Sequence, residues 1–226
     1  MARELKTKII ACQTVGEELQ TLLPDGFVLS LLDFGLHRTP ETLRIELQEA
    51  IDATNEDVGT ILLGYGMCAN AIIGLHARQF RLVIPKADDC IALFLGSQTE
   101  YLRQFHATPG TYYLTKGWIE CGDDPYTEYR ALRKKYGHEK AFRVTMKYIA
   151  NYTRLALINT GNYNTATYQK YAAMVADYFD LTYEEIPGST ALLENLVDGN
   201  WDDDFVVVEP GKTTRYDMFY GNLGES

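Results

Sequence analysis

Thr60–Ser97 reads TILLGYGMCANAIIGLHARQFRLVIPKADDCIALFLGS, and its reading decides the fold. Thr60–Leu63 is apolar and rich in branched residues, as in a strand buried on both faces. Gly64–Cys68 is a glycine turn, and Ala69–Ala77 reads as a short apolar helix. Arg81–Ile84 is a second strand, stopped by Pro85. After the loop Lys86–Asp89, a helix is expected from Cys90 to about Phe105. Strand, helix, strand, helix is the signature of a parallel sheet with crossover connections.

The same alternation extends upstream. Lys6–Cys12 and Phe27–Phe34 read as strands, with an amphipathic helix over Val15–Leu23 between them. Thr39 is placed to cap a helix that starts with Pro40 and Glu41. Its apolar face is Leu43, Leu47, Ala50 and Ile51. Downstream, Pro109-Gly110 breaks the pattern. Thr111–Glu120 is expected to be an aromatic, antiparallel strand, and Asp123-Asp124-Pro125 to cap a long helix to Asn151 that pauses at Gly137. Arg154–Ile158, Thr182–Ile186 and Phe205–Glu209 are further strands. The fold class is therefore α/β with a Rossmann-like parallel sheet. The chain divides into two βα-alternating lobes, residues 1–110 and 111–226, with one continuous sheet as the competing reading.

Composition excludes several classes. A formal net charge of −10 repels phosphate backbones, and the Arg and Lys residues between 130 and 147 fall at helical spacing, as on a solvated face. No nucleic-acid partner is expected. No apolar run reaches the roughly 18 residues of a membrane span. MARELKTK enters a strand without a signal-peptide core, so a cytoplasmic location is expected. In that reducing setting the four cysteines are core residues, metal ligands or reactive thiols rather than disulfides.

Ligands of parallel α/β sheets bind outside the carboxyl ends of the strands. Cys12, His37, Cys68 and Cys90 each fall at or just past such an end. Three thiols and an imidazole suit Zn²⁺, and are compatible with iron or an iron–sulfur cluster. The competing readings are thiols that react without metal, and small apolar side chains packed behind turns. Asp89 is a candidate general base or supporting carboxylate, and equally a helix cap. Gly64, Tyr65 and Gly66 are candidate cofactor-binding residues, because glycines let backbone approach a ligand. They do not form GxGxxG, and no Gly-Lys-Ser/Thr follows. Asn159-Thr160-Gly161 is a weaker turn of the same kind. Cys121 reads as a lone loop thiol.

The segments GLHRTPETL (Gly35–Leu43), LLGYGMCANAIIGL (Leu62–Leu75), IPKADDCIALFLGS (Ile84–Ser97) and PGTYYLTKGWIE (Pro109–Glu120) carry a family likeness, with a weaker one in Leu192–Gly211. On these residues the chain resembles a family of domain-of-unknown-function proteins from methanogens and other anaerobes, often encoded near corrinoid-dependent methyltransferases. The resemblance implies cysteines at Cys12, Cys68 and Cys90 and a histidine at His37. It also implies His-Asp-Cys where this chain has Asp88-Asp89-Cys90, a departure that leaves Asp89 the better candidate. The expected function is a metal-binding protein of anaerobic one-carbon metabolism. It would be a thiol-activating methyl-transfer enzyme or accessory factor, acting with a small-molecule substrate or a corrinoid or methyltransferase protein. The alternative is a non-catalytic binding module with a structural metal or iron–sulfur cluster.

Overall fold

A computed structural model describes residues 5–220. In chain order the first elements are β1 (Lys6–Cys12), α1 (Gln13–Leu19), β2 (Val28–Leu32), a 3-10 turn at Phe34–Arg38, α2 (Pro40–Asp52), β3 (Val58–Gly64), β4 (Arg81–Pro85) and α3 (Cys90–Leu95). Then come α4 (Gln98–Ala107), β5 (Thr111–Leu114), α5 (Lys116–Cys121), α6 (Pro125–Tyr136), α7 (His138–Tyr148), β6 (Arg154–Asn159), α8 (Ala166–Tyr178) and β7 (Thr182–Pro187). The chain ends through α9 (Ala191–Asp198), β8 (Phe205–Val208) and α10 (Asp217–Tyr220).

These elements form two compact units. The first combines the chain up to Gln98 with the chain from Thr190 onward, and the second spans Thr99–Ser189. The expected division at residue 110 therefore differs from the one observed, because the chain returns to its first sheet after residue 190. That sheet has the order β2-β1-β3-β4-β8, parallel except for β8, which runs antiparallel to β4. The second unit holds a parallel three-stranded sheet, β5-β6-β7. The antiparallel reading of the Thr111 strand is thus corrected.

The first core lies along β1, β3 and β4. Ile9, Ile10, Ile61, Leu62, Leu63, Leu82, Val83 and Ile84 are wholly buried, as strands covered on both faces require. Each such side chain contributes about 1.5–3 kcal/mol of burial. In this sheet β1 is flanked by β2, which follows it in sequence, and by β3, from which the chain moves the other way. The strand order thus switches direction between the carboxyl ends of β1 and β3, where Cys12 and Cys68 lie.

Several expected elements are shorter or different. The helix expected over Val15–Leu23 is α1, which begins at Gln13 and stops at Leu19. Thr39 precedes α2 without a side-chain cap bond. The helix expected from Cys90 to Phe105 is broken at Gly96, whose φ of +84° suits glycine. The long helix after Pro125 is two helices, parted at Gly137 with φ +79°. The strand expected over Thr111–Glu120 stops at Leu114, because the Thr115 hydroxyl accepts the Trp118 N–H at 3.4 Å and starts α5. The final strand stops at Val208.

Ala69–Ala77 is not a helix. Cys68, Ala69 and Asn70 have φ of +45°, +54° and +68°, three successive left-handed residues that end any right-handed helix there. Such a residue costs about 1–2 kcal/mol when it is not glycine. Hydrogen bonds hold this turn from two sides. The Met67 and Cys68 N–H groups donate to Ala87 O at 2.7 Å and Asp88 O at 3.1 Å. The Gly74 N–H donates to Thr214 O at 3.0 Å, and the Leu75 N–H to Thr214 Oγ1 at 2.8 Å.

Candidate functional site

The end of β1 supplies Cys12, a buried residue whose Sγ lies 3.5 Å from Thr14 Oγ1. The turn after β3 supplies Tyr65 and Cys68, and the loop after β4 supplies Asp89 and Cys90. Glycine sets the spacing of these three segments. A Cβ on Gly64 would stand 2.8 Å from Ala11 Cβ on β1, and one on Gly66 would stand 2.6 Å from Asp89 O. The Gly64-Tyr65-Gly66 segment is therefore wedged between the segment leading to Cys12 and the segment leading to Cys90. The room that side chains would take is filled by the protein's own atoms, so chain-to-chain approach accounts for both glycines.

Cys68 and Cys90 are half-buried as residues, but their thiols are enclosed by protein. Burial pushes the Cys68 thiol up to about 12, reinforced by the charges of Asp89 and Cys12. Burial also raises the Cys90 thiol, with Cys68, Asp89 and Cys12 acting in the same direction. The three thiols and Asp89 thus share one electrostatic environment. Asp89 caps α3 by accepting the Ile91 N–H at 2.8 Å, and burial raises its carboxyl to about 6. The capping role anticipated for it is met, and its charge still acts on the Cys68 and Cys90 thiols.

Tyr65 completes the cluster. The residue is 3 % exposed, and its hydroxyl is buried with no hydrogen-bond partner. Burial raises its pKa most, and Cys12, Cys68 and Cys90 each add to the rise, so the phenol lies near all three. An unmet buried hydroxyl costs about 1–3 kcal/mol. A strand-turn tyrosine gives no sequence signal of such a state.

His37 stands apart in its identified contacts. Its Nδ1 lies 2.5 Å from Phe34 O, and its ring packs on Phe34 at 4.5 Å between centroids. A carbonyl only accepts, so Nδ1 carries a proton and donates to Phe34 O. Among the described residues, no group of three or more His, Cys, Asp and Glu is gathered as a metal site. The structure brings together Cys12, Cys68, Cys90, Asp89 and Tyr65, without closing them to ligand separation.

Asp88 faces a different partner set. Gln98 Nε2 donates to Asp88 Oδ2 at 2.7 Å, the Asp88 N–H donates to Gln98 Oε1 at 3.1 Å, and the Tyr220 hydroxyl donates to Asp88 Oδ1. Cys121 is an exposed thiol at the end of α5. No helix among the described residues is long and apolar enough to cross a membrane.

Comparisons with curated proteins and with solved structures each found no match. A family model described as a protein of unknown function, DUF1638, matches residues 31–197. The match includes His37, Tyr65, Cys68, Asp89 and Cys90 and omits Cys12, which lies on β1 before it. Since that match covers well over half of the sequence, the chain belongs to the DUF1638 family.

Proposed function

We propose that Cys12, Cys68 and Cys90 form a thiolate site for a soft metal ion, with zinc the first choice and iron or an iron–sulfur cluster the alternative. The observation that carries this reading is the enclosure of three thiols, a carboxylate and an unpartnered tyrosine hydroxyl at the sheet's switch point. Mutual repulsion among deprotonated thiols is unfavourable without a cation, and a soft divalent ion relieves it. Among the described residues the side chains are not gathered at ligand distance, so holding the ion would require the three sulfurs to approach one another. The surrounding sheet is read as Rossmann-like, a frame that places ligands at such switch points.

Three protein thiols leave a coordination position open, as zinc sites that act on substrates require. When bound, the ion supplies the Lewis-acid charge that keeps thiols deprotonated near neutral pH. Tyr65 then has a role: its O–H donates to a thiolate or to a substrate atom at the open position. Asp89 is placed to accept a proton from an incoming thiol. The reaction class that fits is methyl or alkyl transfer to a thiol, in anaerobic one-carbon metabolism of the cytoplasm, with a small thiol or a corrinoid protein as partner. Its support is the donor set together with the sequence resemblance.

A second reading rests on His37. A metal-ligating histidine commonly donates its other ring N–H to a carbonyl, and Nδ1 does so here to Phe34. If Nε2 closed the shell, the site would be structural.

Elemental analysis and Co²⁺ titration of the anaerobically purified full chain separate these readings. One equivalent of metal is expected, with a thiolate-to-Co²⁺ charge-transfer band. Cys68→Ser or Cys90→Ser is expected to weaken binding by about 100-fold or more. His37→Ala leaves affinity unchanged if the position is open, and abolishes tight binding if the shell is closed. Stoichiometric metal absent from natively folded protein, or indifferent to both cysteine changes, would remove the site. Methyl transfer alone is removed if metal-loaded protein fails to turn over defined donor and acceptor pairs.

A further inference from the structure

The second unit carries a cavity of about 430 Å³ at the carboxyl ends of β6 and β7, lined by Asn159, Thr160, Gly161, Glu185, Ile186 and Pro187. One wall is the turn that leaves β6. Asn159 Oδ1 accepts the Gly161 N–H at 2.9 Å, and Gly161 has a φ of +81°, so the turn is tight and lacks a side chain at its tip. The other wall is the end of β7. There Glu185 is held at both oxygens: Asn159 Nδ2 donates to Oε1 at 2.7 Å and Gln169 Nε2 donates to Oε2 at 2.6 Å.

Both donors are neutral amides. No Lys or Arg among the described residues pairs with Glu185, and no cationic residue lines the cavity. Each carboxylate oxygen receives one N–H and keeps acceptor capacity for another donor. A phosphate beside this carboxylate would be repelled. The complementary group is a pair of neighbouring O–H donors, one for each oxygen. Pro187, exposed on the same face of β7 as Glu185, adds an apolar surface against which a ring can lie.

The order of elements sharpens the ligand class. β6, a glycine-bearing turn, α8 and β7 follow in sequence, with α8 packed on both strands. The carboxylate stands 26 residues beyond the turn residue that holds it. In nucleoside-binding βαβ units an acid about 20 residues past the glycine turn accepts ribose hydroxyls. Here the turn lacks the full glycine pattern and any basic side chain, so the sugar diol rather than a pyrophosphate is what the site can hold.

We propose that the β6–β7 cavity binds a nucleoside through its ribose 2′,3′-diol, with Glu185 as the acceptor. The proposal stands independently of the thiol site. Isothermal titration of the full chain with adenosine tests it, using 2′-deoxyadenosine and the Glu185→Gln variant as comparisons. Adenosine is expected to bind, and removal of the 2′-hydroxyl to weaken binding about tenfold or more, the range for a hydrogen bond to a charged group. Glu185→Gln is expected to weaken adenosine at least as much as loss of the 2′-hydroxyl does, and to weaken 2′-deoxyadenosine less, because only its 3′-hydroxyl meets residue 185. Saturable binding absent for adenosine, guanosine, cytidine and uridine at about 1 mM, a threshold for even weak sites, would overturn the proposal. So would equal affinity for ribose and deoxyribose forms in the wild-type chain, a comparison that needs no variant to fold.

Discussion

As the cap of α3, Asp89 accepts the Ile91 N–H, which favours the charged carboxylate; burial opposes charge and is the larger effect. Its carboxyl therefore titrates near 6 in the folded chain against an ordinary value of 3.8. Between those two values the folded chain binds more protons than the unfolded chain. Stability of the metal-free protein thus falls as pH rises through that window, and is level above it. The carboxyl's contribution reaches up to about 3 kcal/mol. Asp89→Asn keeps a capping side chain, and asparagine caps as well as aspartate. We expect urea unfolding of the variant to show a flatter stability profile between pH 4 and 6.5, with an unchanged far-UV spectrum. A profile identical to wild type would mean that the buried carboxylate is not what titrates. Residue-level chemistry was partly legible in advance. Cys12, Cys68 and Cys90 each fall at or just past a strand end in the sequence, and the carboxyl ends of parallel strands share an edge. The unpartnered Tyr65 hydroxyl and the clamped Glu185 carboxylate were not legible, because both depend on neighbours far away in the chain.

At the scale of elements, the site is an alignment of strand ends held by backbone contacts. Gly66 illustrates the tolerance. Its missing Cβ is where Asp89 O, C and Cα stand, at 2.6, 2.7 and 2.8 Å. Backbone gives way less readily than a flexible side chain, so Gly66→Ala must push the loop after β4 away from the turn after β3. Overpacking of this kind costs about 1–3 kcal/mol. Thermal unfolding is expected to register that loss, and cobalt binding to fall with it, since Cys68 and Cys90 sit on the two displaced segments. An alanine variant with native stability and native metal affinity would show that the two loops are not coupled. Element order in β1 to β4 followed from composition, because buried parallel strands must be nearly continuous in apolar residues. Boundaries failed where backbone conformation decided them. Gly96 interrupts a helix whose side-chain periodicity runs on, whereas the pause at Gly137 was legible in the glycine itself. The apolar run after Cys68 has helical composition but begins with three left-handed residues. The direction of β8 was equally hidden, since its pairing partner is β4, more than a hundred residues earlier.

At the scale of the molecule, the first unit is completed by the segment that begins at Thr190, nearly a hundred residues after its earlier part ends at Gln98. Leu192, Leu193, Leu196, Val197, Phe205, Val206 and Val208 are all buried within it or at its edge strand. At about 1.5–3 kcal/mol each, their loss matches or exceeds the 5–15 kcal/mol that keeps a domain folded. A chain ending at Ser189 is therefore expected to lose amide protection in β1, β3 and β4, measured by hydrogen exchange. Retained protection there would show that β8 and α9 are accessory. The same topology constrains synthesis. β4 emerges from the ribosome about 120 residues before the strand that covers its outer edge. At about 5–20 residues per second, that edge stays open for roughly 6–24 s on each new chain. Throughout this interval a bare apolar strand is available to other nascent chains, as unpaired edges are. The antiparallel closing strand thus makes the yield of folded protein depend on translation speed and on chaperones that shield β4 until Phe205–Val208 arrives.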